Sequence, residues 1–236
     1  MKHLVRTVAL VASRGECGIL LKEVRDRLYS NETSLILRRD LFQRRTVPEP
    51  KTAIMVRRLE TRDFRPIIKE RPRRLPVLLA DIPTCYVTVT ASGELTFMLW
   101  VVFSEDWPRF KPHFKGDIPG ELRSDECLFE FAYTFEKFRG QGVMAASLNL
   151  IAEEAWRERP SVRWAYNFVR KDNIPSLKGC RTAGFVPYMT REERWRAMRL
   201  NQKFTLLTPG TLFPFETTAP GDAARASLKH RAGSLS

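Results

Sequence analysis

The sequence is poor in the residues that build metal and disulfide frameworks. Its 236 residues hold three histidines, His3, His113 and His230, with no shared spacing, and four scattered cysteines, Cys17, Cys85, Cys127 and Cys180. There is no CxxC pair and no zinc-ligand spacing, so neither a metal nor a disulfide framework is expected. Reduced thiols in a cytoplasmic protein are the simplest expectation. Long apolar runs are also missing. None approaches the roughly 20 residues that cross a bilayer, and the run Val8 to Ala12 behind the basic start is too short for a secretory signal. A P-loop string GxxxxGK[ST] is absent, as are a Ser-His-Asp arrangement and any helix-turn-helix, RRM or zinc signature of nucleic-acid reading. Acidic charge is scarce: 27 Asp and Glu face 40 Lys and Arg, a net charge of +13. That balance favours anionic partners. Between Arg38 and Arg74 thirteen cationic residues face five acidic ones. This segment is either a partner surface or a solvated basic face, and nucleic acid is a possible partner that no motif favours.

What is present reads as an α/β chain. Residues 17–29 carry Leu20, Leu21, Val24 and Leu28 at helical spacing. Residues 34–38, SLILR, read as a short strand, 53–59 as another and 61–69 as a helix. The β-branched run 84–90, the turn Ala91-Ser-Gly-Glu94 and the apolar run 95–103 make a hairpin. A loop over 104–124 holds Trp107, Phe110 and Phe114, which wall a pocket or form a satellite of the core. A strand over 126–135 and a helix beginning near residue 143 follow, with Met144, Leu148, Ile151, Ala152 and Ala155 on one helical face. Residues 162–169 form a strand. Asn173 caps a short helix, with Gly184 at its C-terminal end. Extended chain follows at 185–188, then a last strand over 198–206. The small, polar residues from 216 onward predict disorder.

Between the 126–135 strand and its helix stands Phe135-Glu-Lys-Phe-Arg-Gly-Gln-Gly-Val-Met144. A strand feeding a glycine turn and then a helix leaves unpaired amides at the helix start, with the dipole's partial positive charge behind them. Phosphate is the natural occupant. The alternative is a turn that uses glycine for geometry alone. A dinucleotide fingerprint fits badly, because Gly140-Gln-Gly142 continues Val-Met-Ala145 rather than to a third glycine.

Phe138-Arg-Gly-Gln-Gly-Val-Met-Ala145 resembles motif A of the GNAT acyltransferase superfamily, Q/R-x-x-G-x-G/A, with Met144 where Gly or Ala is usual. Asn173-Ile-Pro-Ser-Leu-Lys-Gly-Cys-Arg-Thr-Ala-Gly-Phe185 is similar to the family's N-x-x-[AS]-x-x-x-Y-x-x-x-G-F segment, with Cys180 at the usual tyrosine. The resemblance covers about two-thirds of the chain. It implies a GNAT-like fold: a mixed, mostly antiparallel central sheet flanked by helices, over 51–215, with an N-terminal extension over 1–50 and a tail over 216–236. It implies acetyl-CoA as co-substrate and an amine of a small molecule or peptide as acceptor. The pyrophosphate would rest on Arg139, Gly140, Gln141, Gly142, Val143 and Met144. The pantetheine arm would pair with Ala132, Tyr133 and Thr134, and Asn173 and Ser176 would flank it.

Direct acyl transfer to an amine needs a base. In a regular strand Glu126, Leu128, Glu130, Ala132 and Thr134 share one face, and Cys127, Phe129, Phe131, Tyr133 and Phe135 the other. A carboxylate at Glu130 in so apolar a strand is either paired or held at a raised pKa. Glu130 is therefore the first candidate base and Glu126 the second; the alternative for Glu130 is a structural pair with an arginine. The acid would be Cys180 by its place in the motif, or Tyr166 or Tyr188. Lys178 and Arg181 are candidate phosphate contacts or plain solvated cations. Two functions follow: an acyl-CoA-dependent N-acetyltransferase, favoured by the intact Arg139/Gly140/Gly142 turn and Asn173, or a degenerate GNAT-like binding protein, suggested by Met144 and Cys180.

Overall fold

The computed structural model describes residues 25–70, 84–111 and 120–216. Most of the helix expected over 17–29, the tail beyond 216 and Phe114 lie outside them. Among the described residues there are eight strands: β1 Tyr29–Asp40, β2 Met55–Arg58, β3 Cys85–Val89, β4 Leu95–Phe103, β5 Glu126–Thr134, β6 Trp164–Arg170, β7 Val186–Arg196 and β8 Arg199–Leu206. Among the described residues, 25–28 are helical, and further helices are α1 Phe64–Glu70, which follows a 3-10 turn at Thr61–Asp63, α2 Trp107–Phe110, α3 Val143–Glu158 and α4 Ile174–Thr182.

The strands form one sheet in the order β2-β3-β4-β5-β6-β1-β7-β8. Every neighbouring pair is antiparallel except β5 and β6. That exception follows from chain path: a parallel pair needs a crossover, and α3 supplies it between β5 and β6. The architecture is thus the mixed, mostly antiparallel α/β sheet that the sequence predicts. All nine residues of β4 are buried, as a strand covered on both faces requires.

One face of the sheet is covered by α3, which buries Val143, Leu148, Ile151, Ala152 and Ala155. Two polar contacts fix its position. Ser147 Oγ lies 2.8 Å from Thr88 Oγ1 on β3, and the buried Arg39 of β1 donates to Asn149 Oδ1 at 2.7 Å. Burial lowers the Arg39 pKa to about 10, against a nearby Glu153 that raises it.

Two features of the sheet go beyond what the sequence predicts. The first concerns the segment expected as an N-terminal extension over 1–50. Its residues 29–40 are β1, and β1 lies inside the sheet between β6 and β7. Leu35, Ile36 and Leu37 are all buried, which is why the strand needs neighbours on both edges and cover on both faces. The second concerns β5. Met98 pairs with Tyr133 and Trp100 with Glu130, so two steps on β4 match three on β5. The extra residue is a bulge at Phe131, whose φ is +56°. The bulge reverses the alternation. Phe131 turns to the side of Glu130 and packs on Trp100 and Phe110. Beyond it, Tyr133 and not Thr134 shares the face of Glu126, Leu128 and Glu130.

Candidate active site

β5 and β6 pair only from Glu126↔Trp164 to Phe129↔Asn167. Both strands run on, β5 along β4 to Thr134 and β6 along β1 to Arg170. The sheet therefore splays open between them, and among the described residues the β5 edge from Glu130 to Thr134 meets no strand on that side. At the end of that edge the chain enters the glycine turn. Gly140 and Gly142 have φ of +72° and +79°, and Gly142 is the N-cap residue of α3. No side chain caps this helix and its first turn holds no acidic residue, so its leading amides keep their donors free of side-chain partners.

The glycines are needed first for backbone conformation. A Cβ at Gly140 would point into open space, and one at Gly142 would lie 3.5 Å from Pro50 Cα. The turn is held from outside: the Lys51 amide donates to the Gln141 carbonyl at 3.0 Å and Thr52 Oγ1 lies 3.2 Å from Gln141 Oε1. Gln141 Nε2 donates to the Lys137 carbonyl at 2.7 Å, which commits that side chain to the turn itself. Arg139 is drawn back along β5, donating to the Thr134 carbonyl at 3.2 Å and the Tyr133 hydroxyl at 3.1 Å.

Asn173 caps α4, its Oδ1 accepting from the Ser176 amide at 3.3 Å. Met144 meets this helix at Gly179: a Cβ there would lie 2.8 Å from Met144 Sδ. The bulk added at the motif's usual Gly/Ala position is thus taken up by a glycine on the facing helix. Cys180 does not suit an acid. It is fully buried, Asn167 Nδ2 approaches its sulfur at 3.7 Å, and burial pushes the thiol up to about 12 despite the Ser176 hydroxyl beside it. Lys178 lies over the Phe215 ring and Arg181 pairs with Glu216, so the segment after β8 holds both expected phosphate contacts.

The two candidate bases differ sharply. Glu126 is saturated: it accepts from the Tyr166 hydroxyl at 3.0 Å, the Arg123 guanidinium at 2.9 Å and the Arg123 amide at 3.0 Å. Glu130 is not. Its Oε2 accepts from the Phe131 amide at 3.3 Å, while its Oε1 is shut off from solvent without a hydrogen-bond partner. Burial raises its pKa to about 7, against the opposing charge of Arg191. Arg191 is itself paired with Glu193 at 3.1 Å. The buried Trp107 and Phe110 belong to the core on the Glu130 side.

Beside the splay, on the face away from α3, lies a cleft of about 350 Å3. Ile36, Leu128, Phe168 and Met189 give it apolar walls, and Tyr166 and Tyr188 stand together with ring centroids 5.7 Å apart. Glu126 and the Gly120–Arg123 segment close one end. Sequence reasoning missed one residue that packs behind Tyr188, outside the cleft lining. Arg38 is sandwiched between the Trp164 and Tyr188 rings, 4.2 Å from each centroid. Its only sequence signal is its place in the 34–38 strand, two positions from Ile36.

No family model matches the sequence, and no curated protein matches it. Solved structures do. A Drosophila protein matches with a TM-score of 0.50 at 14% identity, over 84% of this chain and 59% of that one. A GCN5-related N-acetyltransferase from Sphaerobacter thermophilus matches at 0.49 and 15% identity, over 75% and 56%. A tandem GNAT protein from the clavulanic acid biosynthesis pathway matches at 0.46 and 15%, over 85% and 60%. The chain spans less than two-thirds of the length of each. At these identities the likeness is one of fold alone.

Proposed function

We propose that the chain is an acyl-CoA-dependent N-acetyltransferase. The observation that supports this most is the junction of two features. The β5–β6 splay leaves a free strand edge, and that edge runs directly into an uncapped helix start bent by two left-handed glycines. A free edge suits an amide-bearing arm, and uncapped helix amides suit a phosphate. The residues thus fit coenzyme A, with Ala132 to Thr134 along the arm and the backbone of Arg139 to Met144 at the pyrophosphate. Bound there, the thioester supplies an activated acetyl carbonyl.

Glu130 is the group suited to take the proton. With a pKa near 7 it is substantially ionised at neutral pH yet basic enough to accept from an ammonium. In the balanced reaction the amine nitrogen bonds to the acetyl carbon, its proton passes toward Glu130, and the C–S bond breaks to release coenzyme A as thiolate.

The test is calorimetric titration with acetyl-CoA. Wild type binds. Gly140→Asp, which tolerates a positive φ and adds a negative charge at the turn, weakens binding at least about tenfold, while Gly140→Asn stays near wild type. No heat of binding at about 1 mM acetyl-CoA overturns the reading.

A further inference from the structure

Resting on that reading, we propose that Arg191 is a positioning residue of the acyl transfer: it acts through Glu130, keeping that carboxylate ready to take a proton, and Glu193 sets how strongly it does so. The first ground is where Arg191 lies. The β5–β6 ladder ends at Phe129↔Asn167, so Glu130 and Phe168 are each the first residue beyond it, on either side of the splay. Both stand on the face away from α3, Glu130 with Leu128 and Phe168 with Tyr166. By register Arg191 belongs to the row of Ser34 and Arg170, one row beyond Phe168, Ile36 and Met189. Its guanidinium nevertheless lies over the Phe168 ring, 4.9 Å from the centroid. The side chain therefore leans from β7 back toward the splay, and its charge acts on Glu130.

The second ground is the pair that Arg191 makes. It meets Glu193 at 3.1 Å, with side chains 9% and 11% exposed, and Gln202 of β8 donates to Glu193 Oε1 at 2.7 Å. A buried pair of this kind is often no more stabilising than apolar residues of the same volume, so stability alone does not account for it. What the pair does is set one cation between two carboxylates, Glu193 on its own strand and Glu130 at the splay. The other described residues around Glu130 are apolar: Trp100, its partner on β4, Phe131 beside it, Phe110 of α2 against Phe131, and Phe168 on β6. Glu126, farther back on β5, is bound by Arg123 and Tyr166. Burial by itself favours the protonated carboxyl, which cannot take a proton from an amine; the guanidinium favours the ionised form.

The experiment follows the Glu130 carboxyl directly, by carbon-13 NMR titration of the full chain with labelled glutamates, Glu130→Gln identifying the signal. Beside it stands the pH profile of transfer from acetyl-CoA to benzylamine as a probe amine. Arg191→Met moves the Glu130 midpoint up by about one unit, and turnover at pH 7 falls about fivefold, recovering at higher pH. Glu193→Gln moves the midpoint down by about half a unit, because the guanidinium then answers to one carboxylate. Arg191→Lys keeps the charge and stays within about half a unit of wild type. A purely structural role for the pair produces no such opposed shifts. The proposal is overturned if Arg191→Met or Glu193→Gln leaves the midpoint within about 0.2 units of wild type, or if both move it the same way. If Arg191→Met fails to fold, Glu193→Gln decides: a downward shift supports the proposal and none ends it. If benzylamine is not acetylated, the carboxyl midpoints decide alone. If it is acetylated and the rate does not follow the midpoints, Glu130 is not the base and the proposal falls, while titration with acetyl-CoA still decides the cofactor reading.

Discussion

Glu130 combines a hydrogen bond from the Phe131 amide on one oxygen with no donor at all on the other, in surroundings dry enough to hold its pKa near 7. Two consequences follow at this residue. Glu130→Gln keeps the shape and removes the base, so turnover falls by about 10²–10⁴ while acetyl-CoA affinity holds. The wild-type rate rises with pH through an apparent pKa near 7, and the variant loses that limb. The same shift acts on stability. A carboxylate whose folded pKa lies above its unfolded value stabilises the fold when protonated, and that contribution is lost as pH rises from about 4.5 to 7. Melting curves should therefore show wild type losing stability across that window, by on the order of 1–3 kcal/mol, and Glu130→Gln not doing so. An unchanged turnover removes Glu130 from the mechanism. Its unusual surroundings were legible in sequence because a lone acid in an apolar strand is conspicuous. The Met144–Gly179 exchange was not, because each residue looks like a fault until the two helices are seen to touch.

Elements were legible where their own composition carries them. β3 and β4 announce themselves through β-branched and apolar runs, and α3 through its spacing. The bulge at Phe131 does not, since Glu126 to Thr134 fits a regular alternation and only register with β4 reveals the extra residue. Nor does the turn between β7 and β8. Ala197 and Met198 both take positive φ, +47° and +68°, between Arg196 and Arg199, which face each other. That is the two-residue geometry that Asn-Gly favours, and neither residue present suits it. Replacing the pair with Asn-Gly relieves strain in the hairpin. A gain of about 0.5–2 kcal/mol is expected in chemical denaturation, with activity unchanged. A loss of stability would mean that the two side chains make contacts worth more than the strain.

The net charge of +13 is a property of the whole molecule, and ion pairs leave it unchanged while fixing where individual cations lie. Within the basic segment, Arg39 donates to Asn149, Arg57 to Asp63, Arg58 pairs with Glu158 and Arg62 with Glu60. Composition cannot distinguish such cations from free ones. Binding to duplex DNA should then be weak, with log K falling against log salt at a slope shallower than about −3. A slope of −6 or steeper in a filter-binding titration would show a continuous basic face and revive the nucleic-acid reading.

The place of β1 has a consequence for how the chain is made. A ribosome delivers Leu35, Ile36 and Leu37 before any of their neighbours. They pair with Val169, Phe168 and Asn167 on one edge and with Thr190, Met189 and Pro187 on the other. The half from β2 to β5 can form while synthesis continues, but the middle of the sheet closes only after β7 has emerged. Until then this apolar strand waits unpaired in the cell. Contacts so distant in sequence slow folding, and an exposed apolar strand is prone to aggregate. Raising chaperone capacity during expression is therefore expected to raise the yield of folded chain.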